Sequence, residues 1–135
     1  MDQGILVESQ IREGQELIDV LAENGVAVTA ACWVKESDGG MWFLYLVTPL
    51  VGEGGSTGLA YRRINAVLRA LPQSLGIDHF QIKAIGPSDA VGQAIRDFQR
   101  RYPNRPAWWY DGSSLGGVSI DAAYIYPPPV TTAAP

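Results

Sequence analysis

The feature that most constrains the fold of this chain is a pair of apolar runs joined by a short turn sequence. Residues 26–36 and 41–48 are rich in β-branched and aromatic side chains, which favour strands. Between them, Ser37-Asp38-Gly39-Gly40 contains the Asp-Gly and Gly-Gly steps that supply the positive φ of a tight turn. Both runs are apolar at successive positions, so each strand must be covered on both faces. The pattern therefore predicts a β-hairpin at the centre of a sheet.

Three other segments have the apolar spacing of amphipathic helices. Each places its apolar residues on one stripe and begins or ends at a residue that commonly caps a helix. Their predicted extents are residues 11–24 ending before Gly25, residues 57–71 capped by Ser56 or Thr57, and residues up to Tyr102 capped by Ser88 or Asp89.

Three further strands are predicted, over residues 80–85, 106–110 and 118–126. In the first of these, alternation places Phe80, Ile82 and Ala84 on one face. In the last, strict alternation places one set of side chains on one face: Val118, Ile120, Ala122, Tyr124 and Tyr126.

The predicted order of elements is α-β-β-α-β-α-β-β. Hairpins interleaved with helices predict an α+β domain with a mostly antiparallel five-stranded sheet and about three helices. The chain has 135 residues, of which 47% are hydrophobic, and this suffices for one core. Residues 1–128 are therefore expected to form a single domain, and residues 129–135 a disordered tail rich in Pro, Ala and Thr.

Composition argues against several classes of site. Cys32 is the single cysteine and His79 the single histidine, so no intrachain disulfide and no Cys/His zinc site is expected. Cys32 lies in an apolar strand, which suits an inert core residue. We expect no cofactor and no catalytic residue. The start of the chain lacks a basic, apolar leader, and no run approaches membrane length, which predicts a cytoplasmic protein without a membrane partner.

An arginine-rich and aromatic segment is the first candidate site. Arginines beside exposed aromatic rings are typical of protein-interaction hot spots. Adjacent strand residues point to opposite faces, so one residue of the pair Trp108 and Trp109 is expected to be exposed. The same arginines also suit the last turn of a helix, where Asp97 could pair with Arg101. The predicted binding residues are Arg100, Arg101, Arg105, Trp108, Trp109 and Tyr110.

Asp121 and the loop 111–117 form the alternative candidate site. Glycines and serines in such a loop can direct backbone N–H groups at an anion. Asp121 is the only charge in the last predicted strand, where alternation places it with Ser119 and Ala123. Such a site would belong to a small enzyme or a ligand-binding domain, whereas a solvent-facing Asp121 would need no functional explanation.

The leading hypothesis is a non-catalytic protein-interaction module that binds a protein partner or itself. Nucleic-acid binding through the segment Arg96–Arg105 ranks third, after the ligand site. The net charge of the chain is −4, whereas a domain that binds nucleic acid is usually basic.

Overall fold

The computed structural model describes residues 8–37, 40–51, 57–71, 76–103 and 106–127. The predicted α+β class and the predicted order of elements are confirmed, with one short additional strand, β5. A 3₁₀ turn, His79–Gln81, precedes β3. The helices and strands are α1 Glu8–Glu23, β1 Ala30–Glu36, β2 Trp42–Val47, α2 Thr57–Ala70, β3 Ile82–Ile85, α3 Ala90–Arg101, β4 Trp108–Tyr110, β5 Ser114–Leu115 and β6 Val118–Ile125.

The strands form one sheet in the order β3-β2-β1-β6-β4, with β5 paired to β6 outside this path. The pairs β1–β2, β1–β6, β4–β6 and β5–β6 are antiparallel, as predicted for most of the sheet. The pair β2–β3 is parallel. Helix α2 connects these two strands and returns the chain to the same end of the sheet, which makes their directions the same. The sheet is therefore mixed.

Both faces of the predicted central hairpin are buried. On the face that we call the first face, Trp33 and Leu44 pack with α1 and α2. On the second face, Cys32 and Tyr45 pack with α3 and with Leu115. Gly40 has φ of +68°, the positive value predicted for the turn, while residues 38–39 lie outside the described residues. The apolar residues on both faces of β1 and β2 are thus explained, as predicted, by helices that cover the two strands on both sides.

A close contact fixes α1 on the first face. The Trp33 indole Nε1 donates a 2.9 Å hydrogen bond to the Tyr126 hydroxyl, which donates a 2.6 Å bond to the carbonyl of Ile11. Gly14 lies beside this hydroxyl, and a Cβ at position 14 would stand 2.2 Å from the Tyr126 oxygen. Glycine is required here because only a residue without a side chain lets the helix approach so closely.

The predicted alternation of the last strand is wrong at its start. Lys35 pairs with Ala122 and Glu36 with Ile120, so Asp121 is an extra residue in β6. This β-bulge reverses the side-chain alternation. Ile120 therefore packs on the second face, whereas Tyr124 packs on the first face.

Two further differences concern β3 and α3. Phe80 belongs to the 3₁₀ turn and is 74% exposed, so it does not share a buried face with Ile82 and Ala84. Asp89 is the N-cap of α3 and accepts a 2.9 Å hydrogen bond from the backbone N–H of Val91. The predicted cap at Ser56 and the predicted tail 129–135 lie outside the described residues.

Candidate interaction surface

The sheet divides the aromatic segment of β4 between its two faces. Trp108 and Tyr110 lie on the second face, each with its ring centroid 5.4 Å from that of Phe98 in α3. Trp109 lies on the first face, where its ring centroid is 5.1 Å from that of Tyr124. The alternation of adjacent strand residues produces this division.

Trp109 is the exposed member of a group of three rings. Its side chain is 52% exposed, whereas Trp42 beneath it is only 6% exposed. Trp109 meets Trp42 edge-to-face at a centroid distance of 6.2 Å, and it meets Tyr124 in the same manner. We call Trp42, Trp109 and Tyr124 the aromatic surface.

The position of these rings follows from strand pairing and small neighbours. Trp109 pairs directly with Tyr124, while Trp42 pairs with Lys35, which in turn pairs with Ala122. Strands β2 and β4 stand three strand spacings apart, about 14 Å. Because the indoles of Trp42 and Trp109 are only 6.2 Å apart, both must lean inward over the two strands between them.

The aromatic surface contains a polar atom without a partner. Within the described residues, the buried indole Nε1 of Trp42 makes no hydrogen bond. Leaving a buried donor unpaired costs about 1–3 kcal/mol. Burial also raises the pKa of the Tyr124 hydroxyl, so this group is neutral at physiological pH. The three rings therefore carry no charge, and Lys35 is half-buried at the margin of the surface.

The predicted arginines do not surround Trp109. Arg100 and Arg101 are exposed at the end of α3, on the opposite side of the sheet. Asp97 accepts a 2.7 Å hydrogen bond from Arg100, whereas the predicted partner was Arg101. Arg105 lies outside the described residues. The predicted segment therefore contains two separate features, a basic helix end and an exposed indole.

Asp121 lies at the exposed surface of the bulge in β6. Its carboxylate accepts a 3.0 Å hydrogen bond from the Ser37 hydroxyl. The loop 111–117 folds against α3, because Leu115 is buried and Gly116 contacts the backbone of Val91. Among the described residues, no group of three or more Asp, Glu, His or Cys side chains lies close enough together to hold a metal ion.

A charged cluster on the second face was not anticipated. Glu36 Oε2 accepts a 2.7 Å hydrogen bond from the Lys83 ammonium and a 2.5 Å bond from the Tyr45 hydroxyl. The Lys83 ammonium also stands 4.4 Å from the ring centroid of Phe43. The sequence signal for this cluster is that Lys83 is the one charge in β3 and that Glu36 ends the apolar run of β1.

The environment shifts the pKa values of this cluster in opposite directions. Burial alone would raise the pKa of Glu36, but the hydrogen bonds from Lys83 and Tyr45 and the Lys83 charge lower it overall. The pKa of Tyr45 is raised by burial and by its hydrogen bond to the Glu36 carboxylate. At neutral pH the cluster is therefore an ion pair with a neutral tyrosine. It covers the apolar face near β3.

Cys32 is fully buried in β1, and burial raises the pKa of its thiol. A thiol in this state is a poor nucleophile. The backbone of His79 lies in the 3₁₀ turn.

A small cavity lies where α3 ends beside β4 and β6. Its volume is about 10 Å³, and Gln99, Trp108 and Tyr126 contribute to its wall. The Gln99 Nε2 atom is buried and makes no hydrogen bond within the described residues. A cavity of this size suits at most one water molecule.

Comparison of the chain with protein-family models, with curated proteins and with solved structures finds no match. In the part of the chain that the structure describes, no helix combines the length and the hydropathy needed to span a bilayer.

Proposed function

We propose that this chain is a non-catalytic protein-interaction module that binds a protein partner, or a second copy of itself, through the aromatic surface. The observation that carries the proposal is the half-exposed indole of Trp109, which rests on Tyr124 and Trp42. Tryptophan is the residue most enriched at interaction hot spots, because a large rigid ring gives contact area at little cost in side-chain entropy.

The packing of Trp109 supports this role. Its ring contacts two other rings edge-to-face, an arrangement worth about 0.5–1.5 kcal/mol per pair beyond the area buried. These contacts hold the exposed edge of the indole in one orientation before a partner arrives. A preorganised anchor loses less entropy on binding than a mobile one.

The charge of the molecule favours a protein partner over a nucleic acid. The chain carries a net charge of −4, and Lys35 is the one basic residue among the described strand residues that pairs directly with a member of the aromatic surface, Trp42. Nucleic-acid affinity depends on several phosphate contacts and falls steeply with salt. An apolar anchor predicts an affinity that changes little between low and physiological salt.

The test compares three alanine variants in two assays. Sedimentation velocity measures self-association, and a binding titration measures the affinity for any partner that is recovered by affinity capture and then purified. Trp109→Ala is expected to weaken association by about 30-fold or more, the loss typical of a hot-spot residue. Phe80→Ala is the matched control, because Phe80 is an exposed aromatic residue at the opposite edge of the sheet. Thermal unfolding of each variant establishes that it folds.

The third variant, Arg101→Ala, tests whether the basic end of α3 or the exposed Trp109 indole forms the interface. If Arg101→Ala abolishes association and Trp109→Ala does not, then the basic end of α3 is the interface and the aromatic surface is not. If folded Trp109→Ala associates as tightly as the unmodified chain, then the proposal fails. Affinity that drops by orders of magnitude with added salt would favour nucleic acid instead.

A further inference from the structure

We propose that the partner of the aromatic surface is a second copy of this chain, which adds its strand β4 antiparallel to β4 of the first copy. The inference rests on the proposed function, since it names the partner and the manner of binding at the same site. Three features of β4 carry it: the direction of the Trp109 backbone groups, the symmetry of the strand about Trp109, and the composition of the strand.

Strand β4 forms one edge of the sheet. Among the described strands it pairs with β6 alone, so one side of its backbone has no neighbouring strand. An edge of this kind presents N–H and C=O groups to another chain. Extended segments commonly bind at such an edge by adding a strand to the sheet.

The hydrogen bonds between β1 and β6 show how the backbone of β6 is oriented. In an antiparallel pair, successive residues point their N–H and C=O groups alternately toward the partner strand and away from it. The Tyr126 N–H donates a 3.1 Å hydrogen bond to the carbonyl of Ala31, so Tyr126 points toward β1. Tyr124, two residues earlier, points the same way. Ala123 and Ile125, which alternate with them, therefore point toward β4.

This alternation assigns the backbone direction of each residue in β4. Trp108 and Tyr110 pair with the two residues of β6 that point toward β4, and they exchange backbone hydrogen bonds with them. Trp109 pairs with Tyr124, whose backbone groups point toward β1. The N–H and C=O of Trp109 therefore point outward from the edge of the sheet, where an added strand satisfies them.

The strand is symmetric about this outward-facing residue. When two copies of β4 run antiparallel and are centred on Trp109, the N–H of each Trp109 donates to the C=O of the other. Trp108 of each copy then stands opposite Tyr110 of the other, and aromatic cross-strand pairs of this kind stabilise sheets. A two-fold axis through the centre of the pair brings the same patch of both copies together, as in an isologous dimer. The outward donor and acceptor of β4 thus complement a second copy.

The composition of the two edge strands favours β4 over β3. Strand β3, at the other edge, carries Lys83, whose side chain is partly exposed. A lysine in an edge strand commonly prevents the addition of another strand. Strand β4 is Trp-Trp-Tyr and contains neither a charge nor a proline. Its edge therefore lacks the usual protection.

The side chains around β4 leave room for a second strand. The Trp109 indole leans inward toward Trp42 in β2, so the ring does not stand in front of its own backbone. Gly112 lies against the Tyr110 ring, which directs the chain after β4 toward the second face. In the joined sheet, the two Trp109 indoles lie on the same face, one on each side of the two-fold axis.

Hydrogen exchange, measured by NMR on the full chain over a concentration series, tests the pairing. The Trp109 amide is expected to exchange quickly in dilute samples and slowly in concentrated samples, because only the dimer gives it an acceptor. The Tyr110 amide, which is bonded within each monomer, should exchange slowly throughout and is the internal control. In a mixture of differently labelled chains, Overhauser contacts are expected between the Hα atoms of Trp108 in one molecule and Tyr110 in the other.

Amide-to-ester replacement supplies a matched pair of variants. Replacing Trp109 by its α-hydroxy acid keeps the indole but removes the outward N–H. The dissociation constant of the dimer is expected to rise about 30-fold, because the symmetric dimer loses two hydrogen bonds that are each worth roughly a factor of five. The same replacement at Tyr110 removes an inward N–H, so it should lower the melting temperature and leave the dissociation constant unchanged.

Three outcomes would overturn the inference. They are a Trp109 amide that exchanges equally fast at every concentration in a sample that sedimentation shows to dimerise, esters at the two positions that weaken association equally, and a chain that stays monomeric while it binds another protein. In each case, loss of binding in Trp109→Ala would still support the proposed function, because the indole would then act without strand pairing. Unchanged binding in folded Trp109→Ala would instead reject the proposed function, so the two failures are distinguishable.

Discussion

Trp33 and Tyr126 are joined by a buried hydrogen bond of 2.9 Å between residues that lie 93 positions apart. Through the bond from the Tyr126 hydroxyl to Ile11, the same contact ties the end of β6 to the first turns of α1. Burial raises the pKa of this hydroxyl, so it remains a donor at neutral pH. One tyrosine therefore holds the central strand, the last strand and the first helix together.

Gly14→Ala is expected to destabilise the protein although alanine favours helices. The added Cβ would stand 2.2 Å from the Tyr126 oxygen, which forces α1 or the tyrosine to move. We expect a loss of about 1–3 kcal/mol in the free energy of unfolding, typical of overpacking. Urea unfolding measures it.

Tyr126→Phe tests the cause of that loss. Removing the hydroxyl removes the nearest of the atoms that the new methyl group would meet, so Gly14→Ala should cost less in the Tyr126→Phe background. If the two effects simply add, then the close contact is not the reason for the glycine.

Trp33→Phe and Trp42→Phe are expected to differ although both remove a buried indole. Trp33→Phe breaks the bond to Tyr126 and leaves a void, which should cost about 2–3 kcal/mol. Trp42→Phe deletes an N–H donor that has no partner among the described residues, which removes the free-energy cost of burying that donor. Because this stabilisation offsets the packing that is lost, the net loss in the free energy of unfolding should stay within about 1 kcal/mol. Chemical denaturation compares the pair. Equal losses would mean that the Trp42 donor is satisfied in solution.

Glu36→Gln is expected to reduce stability in a pH-dependent way. The folded state lowers the pKa of Glu36, so its contribution is present above the unfolded pKa of about 4.3 and is lost as the pH falls through the folded value. At pH 7 the variant should lose about 1–2 kcal/mol, because hydrogen bonds to a charged group are lost. The difference from the unmodified protein should shrink as the pH falls below about 4.

Asp97→Asn is the control for Glu36→Gln. Asp97 forms an exposed ion pair with Arg100, and exposed pairs contribute about 0–1 kcal/mol. Chemical denaturation at pH 7 should show a change of less than about 1 kcal/mol in the free energy of unfolding for this variant. A pH-independent difference for Glu36→Gln would contradict the role given to its carboxylate.

Cys32 is expected to resist thiol reagents in the folded protein. It is fully buried and its pKa is raised, so both access and thiolate formation require unfolding. Reaction with a chromogenic disulfide should follow the unfolding rate and become fast in denaturant. Rapid modification under native conditions would show that β1 opens locally.

Local patterns predicted the three helices and five of the six strands in the described part of this fold, all except β5. The apolar stripes of the helices, a cap at Ser88 or Asp89 and the glycine turn near Gly40 depend on neighbours within a few residues, and they were predictable for that reason. The structure selects Asp89 as the cap. The two-sided apolar character of β1 and β2 also predicted their central position correctly.

The candidate site was only partly predictable. Alternation required that Trp108 and Trp109 lie on opposite faces, but it did not say which would be exposed. The bulge at Asp121, which moves Ile120 to the second face, depends on how β6 pairs with β1 and leaves no local signal. The Glu36–Lys83 pair likewise arises only because β3 joins the sheet beside β2.

By itself, then, the sequence determined the three helices and the five longer strands and which of these strands lie in the interior, because these properties depend on side-chain periodicity along a short stretch. Only the tertiary structure decided that Trp42 meets Trp109 and that Trp33 meets Tyr126. Such contacts depend on strand order, register and helix direction together, and these are selected by the packing of the whole domain.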